Sequence, residues 1–286
     1  MERKELAPKL VETAAEMSGG VLGAAVGVSL AGPAGAIAGG AVGPLIAKCL
    51  NALGQEVHSR MLGPREIHRI DVTLRTADKL IGDRISQGEN VRTDGFFDSL
   101  NGNRSAGEEV GEGVLRAAQK EYEERKIPFL AALIASISFD TNVGREQANM
   151  LIRLFERLSY RQVRLLAFFG RLEELQIPVL NGDRMFQNPP PQLPWDVSEE
   201  FGELISLDLL SRKENTMEMM IYFHVHMYPL TLKGRKIFDL ATLKTMPPSE
   251  LKDLTDFCEQ LSQAFNDAET MEDYFRRQKA GASSSA

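Results

Sequence analysis

The sequence predicts a mainly α fold: a multi-helix body with an N-terminal glycine-zipper helical hairpin and a small β-ribbon in its C-terminal part. Three observations predict it. Apolar residues recur at helical spacing over most of the chain. Residues 17–47 carry no charged side chain and place Gly19, Gly23 and Gly27, then Gly35, Gly39 and Gly43, at four-residue intervals. One run alone, 217–230 (MEMMIYFHVHMYPL), is rich in β-branched and aromatic residues and reads as a strand or ribbon.

The totals fit this class. The chain has 286 residues, 43% hydrophobic and 26% charged, the balance of a globular protein with a sizeable core. A net charge of −7 argues against a general nucleic-acid binder, because such affinity rests on neutralising phosphates. Cys49 and Cys258 supply neither a disulfide framework nor a zinc spacing. They read as core thiols in a reducing compartment. The first sixteen residues mix Arg3, Lys4 and Lys9 with Glu2, Glu5, Glu12 and Glu16, which is too acidic for a secretory signal. The expected location is the cytoplasm, with the inner membrane as a surface the chain can associate with.

Residues 2–16 read as an amphipathic helix, with Leu6, Leu10, Ala14 and Met17 on one side. The glycine stretch follows. Gly32-Pro33 is turn chemistry, and proline breaks a helix interior, so two short helices are expected, about 17–30 and 34–52. Each would be roughly 20–28 Å long, short of the roughly 30 Å hydrocarbon core of a bilayer. Glycine costs about 1 kcal/mol against alanine in a helix. Six on one face therefore imply close helix–helix packing, either within the fold, with a membrane, or between copies of the chain.

A helix over 53–62 should stop at Gly63-Pro64, and 65–86 places Ile67, Ile70, Leu74, Ala77, Leu80, Ile81 and Ile85 on one face. Residues 87–104 read as a loop with Phe96 and Phe97 as anchor. Ser105 and Glu108 have capping-box spacing and open a helix expected to run to Lys126, with Pro128 as its divider. The carboxylates Glu121, Glu123 and Glu124 read as a solvated, self-paired face. Residues 129–139 are apolar on nearly every side and predict the central buried helix. After a break at Asp140-Thr141-Asn142, 145–157 turns Ala148, Leu151, Ile152 and Phe155 inward.

Ser159 and Gln162 form a second capping-box spacing. A proline-rich loop over 177–196 precedes Ser198, the expected N-cap of a helix that begins with Glu199 and Glu200. Then come the ribbon, a helix from Thr231, and a last helix after Pro247-Pro248-Ser249. Helix, helix, ribbon and a following L-T-x-x-G-R helix together look winged-helix-like. The expected division is 1–52 (first helix and zipper hairpin), 53–157 (helical core), 158–246 (winged-helix-like module), 247–275 (C-terminal helix) and 276–286 (disordered tail).

No nucleophile motif, phosphate loop or metal-ligand spacing occurs. No catalytic residue, cofactor or metal is expected. In a DNA-binding reading the helix before the ribbon would enter the major groove. It carries Glu199, Glu200, Glu203 and Asp208 against Arg212 and Lys213, which disfavours contact with phosphates. Lys233, Arg235 and Lys236 are the residues an alternative nucleic-acid or adaptor reading would use. His224 and His226 read as ordinary ribbon side chains.

Residues 106–172 and the later YPLTLKGRKIF resemble bacterial helical proteins and, more distantly, the abortive-infection alpha family. The motifs are Leu133-Ile134-Ala135-Ser136, Leu158-Ser159 with Gln162 and Leu165, and Leu230-Thr231 with Gly234, within a similarity over roughly 50–245. The resemblance implies a role in phage defence by cell-level shutdown and carries over no catalytic residue. The zipper hairpin departs from that family and resembles glycine-zipper segments of small membrane-active bacterial proteins. The resulting expectation is a non-enzymatic effector. Its partner is the membrane or further copies of itself through residues 17–47, with release by a protein trigger. The alternative is a soluble winged-helix DNA-binding or adaptor protein.

Overall fold

The computed structural model describes residues 62–99, 104–180, 184–185, 191–212, 225–270, 273 and 276. The expected N-terminal helix and glycine hairpin, and most of the expected ribbon, lie outside them. The described part is mainly helical. The chain divides into two units, Met1–Val163 with Ile237–Thr245, and Arg164–Lys236 with Met246–Ala286.

Among its described residues the first unit is built mainly on four helices. Helix α1 (Pro64–Ser86) starts where Pro64 needs no N–H. Glu66 reaches back to accept the Gly63 N–H at 2.7 Å. That bond, followed by one from the Gln119 side chain, lowers the Glu66 carboxyl pKa. Its buried stripe is Ile70, Leu74, Ala77 and Ile81, as helical periodicity requires. Helix α2 (Ala106–Lys120) opens on the predicted capping box: Ser105 Oγ accepts the Glu108 N–H at 3.1 Å, and Glu108 accepts the Ser105 N–H at 2.8 Å. Helix α3 (Ile127–Ile137) is the central helix, packed on α1, α2 and helix α4 (Arg145–Arg157). From Leu130 to Ile137 every residue is buried. Helix α4 buries Ala148, Leu151, Ile152 and Phe155, the four expected.

The loop before α2 is anchored as its aromatic residues suggested. Arg92 is buried and donates to the carbonyls of Asp140 and Val143, each at 2.9 Å, and of Ile137 at 3.3 Å. It thereby adds a donor to carbonyls at and beyond the end of α3, two of which, Ile137 and Asp140, also accept a turn N–H. Its guanidinium lies 3.9 Å over the Phe96 ring. Phe97 covers Gly107, where an added Cβ would strike the ring.

Helix α5 (Tyr160–Phe169) begins on the second capping box. Gln162 accepts the Ser159 N–H at 3.0 Å, and Ser159 Oγ accepts the Gln162 N–H at 3.1 Å. The second unit takes the later residues of α5, then helix α6 (Trp195–Ser206), the start of helix α7 (Leu232–Leu240) and helix α8 (Lys252–Asn266). Its core includes an aromatic series. Phe168 meets Phe169 edge-on at 5.5 Å, Phe169 stacks on Phe201 at 5.5 Å, and Phe201 meets Tyr228 edge-on at 4.8 Å. Strand β1 (Arg184–Met185) pairs antiparallel with strand β2 (Glu269–Thr270).

Three local expectations are corrected. Helix α2 ends at Lys120, six residues before the expected end at Lys126. Arg69 Nη1 donates to the carbonyls of Gln119 at 2.9 Å and Glu121 at 2.6 Å, which takes up acceptors that a continuing helix would use. Helix α6 starts at Trp195 with Pro194 at the N-cap position, and Ser198 lies inside it, its N–H bonded to the Pro194 carbonyl at 3.0 Å. Asp196 supplies the first-turn charge. In the described part of the expected ribbon, Val225–Met227 is a 3-10 turn, and Leu230 makes a single antiparallel bridge to Leu210. Pro229 has no N–H for a ladder, while its carbonyl accepts from Ser211 N at 3.0 Å.

Candidate functional site

The six zipper glycines, Gly19, Gly23, Gly27, Gly35, Gly39 and Gly43, and the turn at Gly32-Pro33 lie outside the described residues. Among the described residues no helix is long and apolar enough to cross a membrane. None of them forms a group of three His, Cys, Asp or Glu arranged for a metal. Cys258 is buried, and burial, then the neighbouring Glu259, pushes its thiol up to about 12. It is protonated at neutral pH and a poor nucleophile. His226 is half-buried, with Nε2 3.1 Å from the Ile177 carbonyl oxygen.

Lys233, Arg235 and Lys236 all fall on α7. Lys233 pairs with Asp208 at 3.4 Å. That pair is partly open to solvent and therefore weak. Gly234, between them, is structural. Thr231 N donates to the Leu209 carbonyl at 3.1 Å, and Thr231 Oγ1 donates to the Asp208 carbonyl at 2.7 Å and accepts the Gly234 N–H at 3.0 Å. This brings Gly234 onto the Leu209 carbonyl, where a Cβ would overlap the oxygen.

A polar concave feature among the described residues lies in the first unit, between the end of α2 and the end of α4. It is a cleft of about 300 Å³. Its wall includes Lys126 and Glu121, a salt-bridged pair with side chains 2% and 5% exposed. Lys126 Nζ also reaches the Glu156 carbonyl at 3.3 Å. Glu123 accepts the Tyr160 N–H at 2.9 Å, and Arg125 lies 4.6 Å over the Tyr160 ring. Lys120, Arg157 and the 84%-exposed Tyr122 stand at the mouth. Lys120 and Glu156 are 4.0 Å apart. Arg157 is exposed and has no side-chain partner among the described residues.

This cleft corrects the reading of the acidic run. Glu121 is a buried partner of a buried lysine, not part of a solvated face. The sequence signal was masked because Glu-Tyr-Glu-Glu-Arg-Lys has the composition of an exposed helix turn. Within it only Glu121 and Lys126 are buried. Their mutual ion pair, with the carbonyls of Gln119 and Glu121 bonded by Arg69, fifty residues before Gln119, is not visible in the local composition.

No family model, curated protein or solved structure matches the chain. The likeness to abortive-infection alpha proteins therefore rests on its short motifs alone. Each of the three has a packing explanation: a buried helix at 133–136, a capping box at 159 and 162, and the close approach at Gly234.

Proposed function

We propose that the protein is a non-enzymatic bacterial effector whose helical body carries residues 17–47 as a membrane-directed or self-assembling element. The single observation that carries this reading is the charge-free stretch with GxxxGxxxG twice around Gly32-Pro33. Stripes of small residues favour close backbone packing where hydrophobic driving force is weak. The arms are short for a routine two-span anchor, so the element needs partners, either lipid with other copies or the chain's own helices. The resemblance to abortive-infection alpha proteins extends the proposal to anti-phage defence, with the body holding the element until a trigger frees it.

The test is dye release from liposomes of bacterial lipid composition. The full chain should release dye, and Gly27→Leu with Gly39→Leu should abolish release by filling the packing face. Equal release by the double variant would remove the zipper from the mechanism.

The winged-helix-like reading is favoured by one local arrangement, the Leu210–Leu230 bridge leading into the Thr231-capped helix. In that reading residues 158–246 form a DNA-binding or adaptor module using Lys233, Arg235 and Lys236. It requires salt-sensitive duplex binding that disappears when these three are neutralised. A flat mobility-shift titration at low salt would exclude the DNA version.

A further inference from the structure

We propose that residues 191–195 dock into the aromatic-lined groove of a partner protein that binds polyproline II strands. Pro191 and Pro194 enter its paired proline slots, and Trp195 anchors beside them. The inference does not rest on the effector reading.

The sequence here reads Pro189-Pro190-Pro191-Gln192-Leu193-Pro194-Trp195. Proline fixes its own φ, and a residue before proline is pushed to extended backbone. Pro191, Leu193 and Pro194 are therefore biased toward polyproline II before any tertiary contact forms. Pro194 has φ −49° and ψ 140°, close to that region. A polyproline II strand repeats every three residues, so it has three edges. Leu193 takes one edge and lines an apolar pocket with Phe168, Phe169 and Phe201. A second edge carries Pro191 and Pro194, and the third carries Gln192, with Trp195 following at the start of α6. Gln192, Pro194 and Trp195 are exposed and Pro191 is half-buried. The body thus grips the strand by one edge and leaves the proline edge outward. Trp195 is 75% exposed and has no ring partner among the described residues. An indole buries about 150–250 Å² on docking, and tryptophan is enriched among interface anchors. Polyproline grooves are lined by aromatic rings and gain from a ligand that is already ordered. Leu193 and α6 supply that order in advance. Helix α6 carries Asp196, Glu199, Glu200 and Glu203 and no basic residue. That charge disfavours an anionic lipid surface as the occupant and favours a protein groove with a basic rim.

The test incorporates fluorotryptophan into the full chain, whose single tryptophan gives one fluorine resonance, from position 195. The probes are an isolated WW domain and an isolated SH3 domain, both readers of polyproline II. A saturable shift of that resonance with at least one of them is expected, and calorimetry of the same pair gives the affinity. Trp195→Ala and Pro194→Ala should each weaken binding at least about tenfold. Leu232→Ala, an exposed change elsewhere in the second unit, should leave it unaltered. All three positions are exposed, and unchanged thermal unfolding checks that the variants fold. No shift with either domain, or equal affinity of Trp195→Ala, would overturn the proposal. A shift caused instead by anionic lipid vesicles, or by raising the concentration of the chain alone, would assign Trp195 to a membrane or to a second copy and would overturn it too.

Discussion

Gly234 rests directly on the carbonyl of Leu209, so closely that a Cβ at position 234 would overlap the carbonyl oxygen. The contact is with backbone, which cannot rotate aside as a side chain does. Thr231 fixes the register by bonding both the Asp208 carbonyl and the Gly234 amide. Gly234→Ala is expected to cost about 3 kcal/mol, the upper range for forced overpacking. Thr231→Ala should cost about 1 kcal/mol, as for a lost helix cap. Urea unfolding of both variants measures the difference, and equal stability of Gly234→Ala and the unaltered chain would refute the packing role.

The Lys126–Glu121 pair should behave asymmetrically. Glu121→Leu or Lys126→Met alone leaves one charge buried without its counter-ion, at a cost of about 3–5 kcal/mol. Removing both, as Glu121→Leu with Lys126→Met, should restore most of that loss, because neither side chain is more than 5% exposed. A double-mutant cycle read by chemical denaturation reports the coupling directly. Additive losses would mean that the two residues act independently.

Arg92 holds Asp94 through Nε at 2.9 Å and Nη2 at 2.5 Å, and this contact lowers the Asp94 carboxyl pKa. The sign follows from linkage. A carboxyl lowered in the fold contributes stability above its unfolded value of about 3.9, and that contribution is lost as pH falls through the folded value. Asp94 has a side chain 38% exposed, so solvent screening holds the gain to about 1 kcal/mol or less. Asp94→Asn should unfold at lower urea than the unaltered chain near neutral pH. The gap should close below about pH 4. A gap that stays constant through this range would assign the effect to packing.

Local signals in the sequence carried far into the fold. The two capping boxes, at Ser105 with Glu108 and at Ser159 with Gln162, start helices where the spacing placed them. The apolar positions of α4 and the nearly uniform apolarity of α3 gave their burial. These are properties of single turns or single helix faces. What escaped were features decided by distant residues. The stop after Lys120 depends on Arg69, and the inward turn of Glu121 on a buried lysine. Proline chemistry misled twice. Pro128 sits in the first turn of α3 and does not divide a longer helix, and Pro194 precedes α6 where Ser198 was the expected cap. Of the candidate site, only the residue types were legible. The cleft arises from two helix ends separated by more than thirty residues in sequence.

The proposal that residues 17–47 are the effector element is tested most directly by liposome flotation, with chemical cross-linking of the same fractions. The full chain should float with anionic liposomes or cross-link to defined oligomers. A variant lacking residues 1–50, and the Gly27→Leu with Gly39→Leu variant, should remain monomeric in the dense fractions. A full chain that stays monomeric and lipid-free, or variants that float and cross-link as it does, would contradict the account.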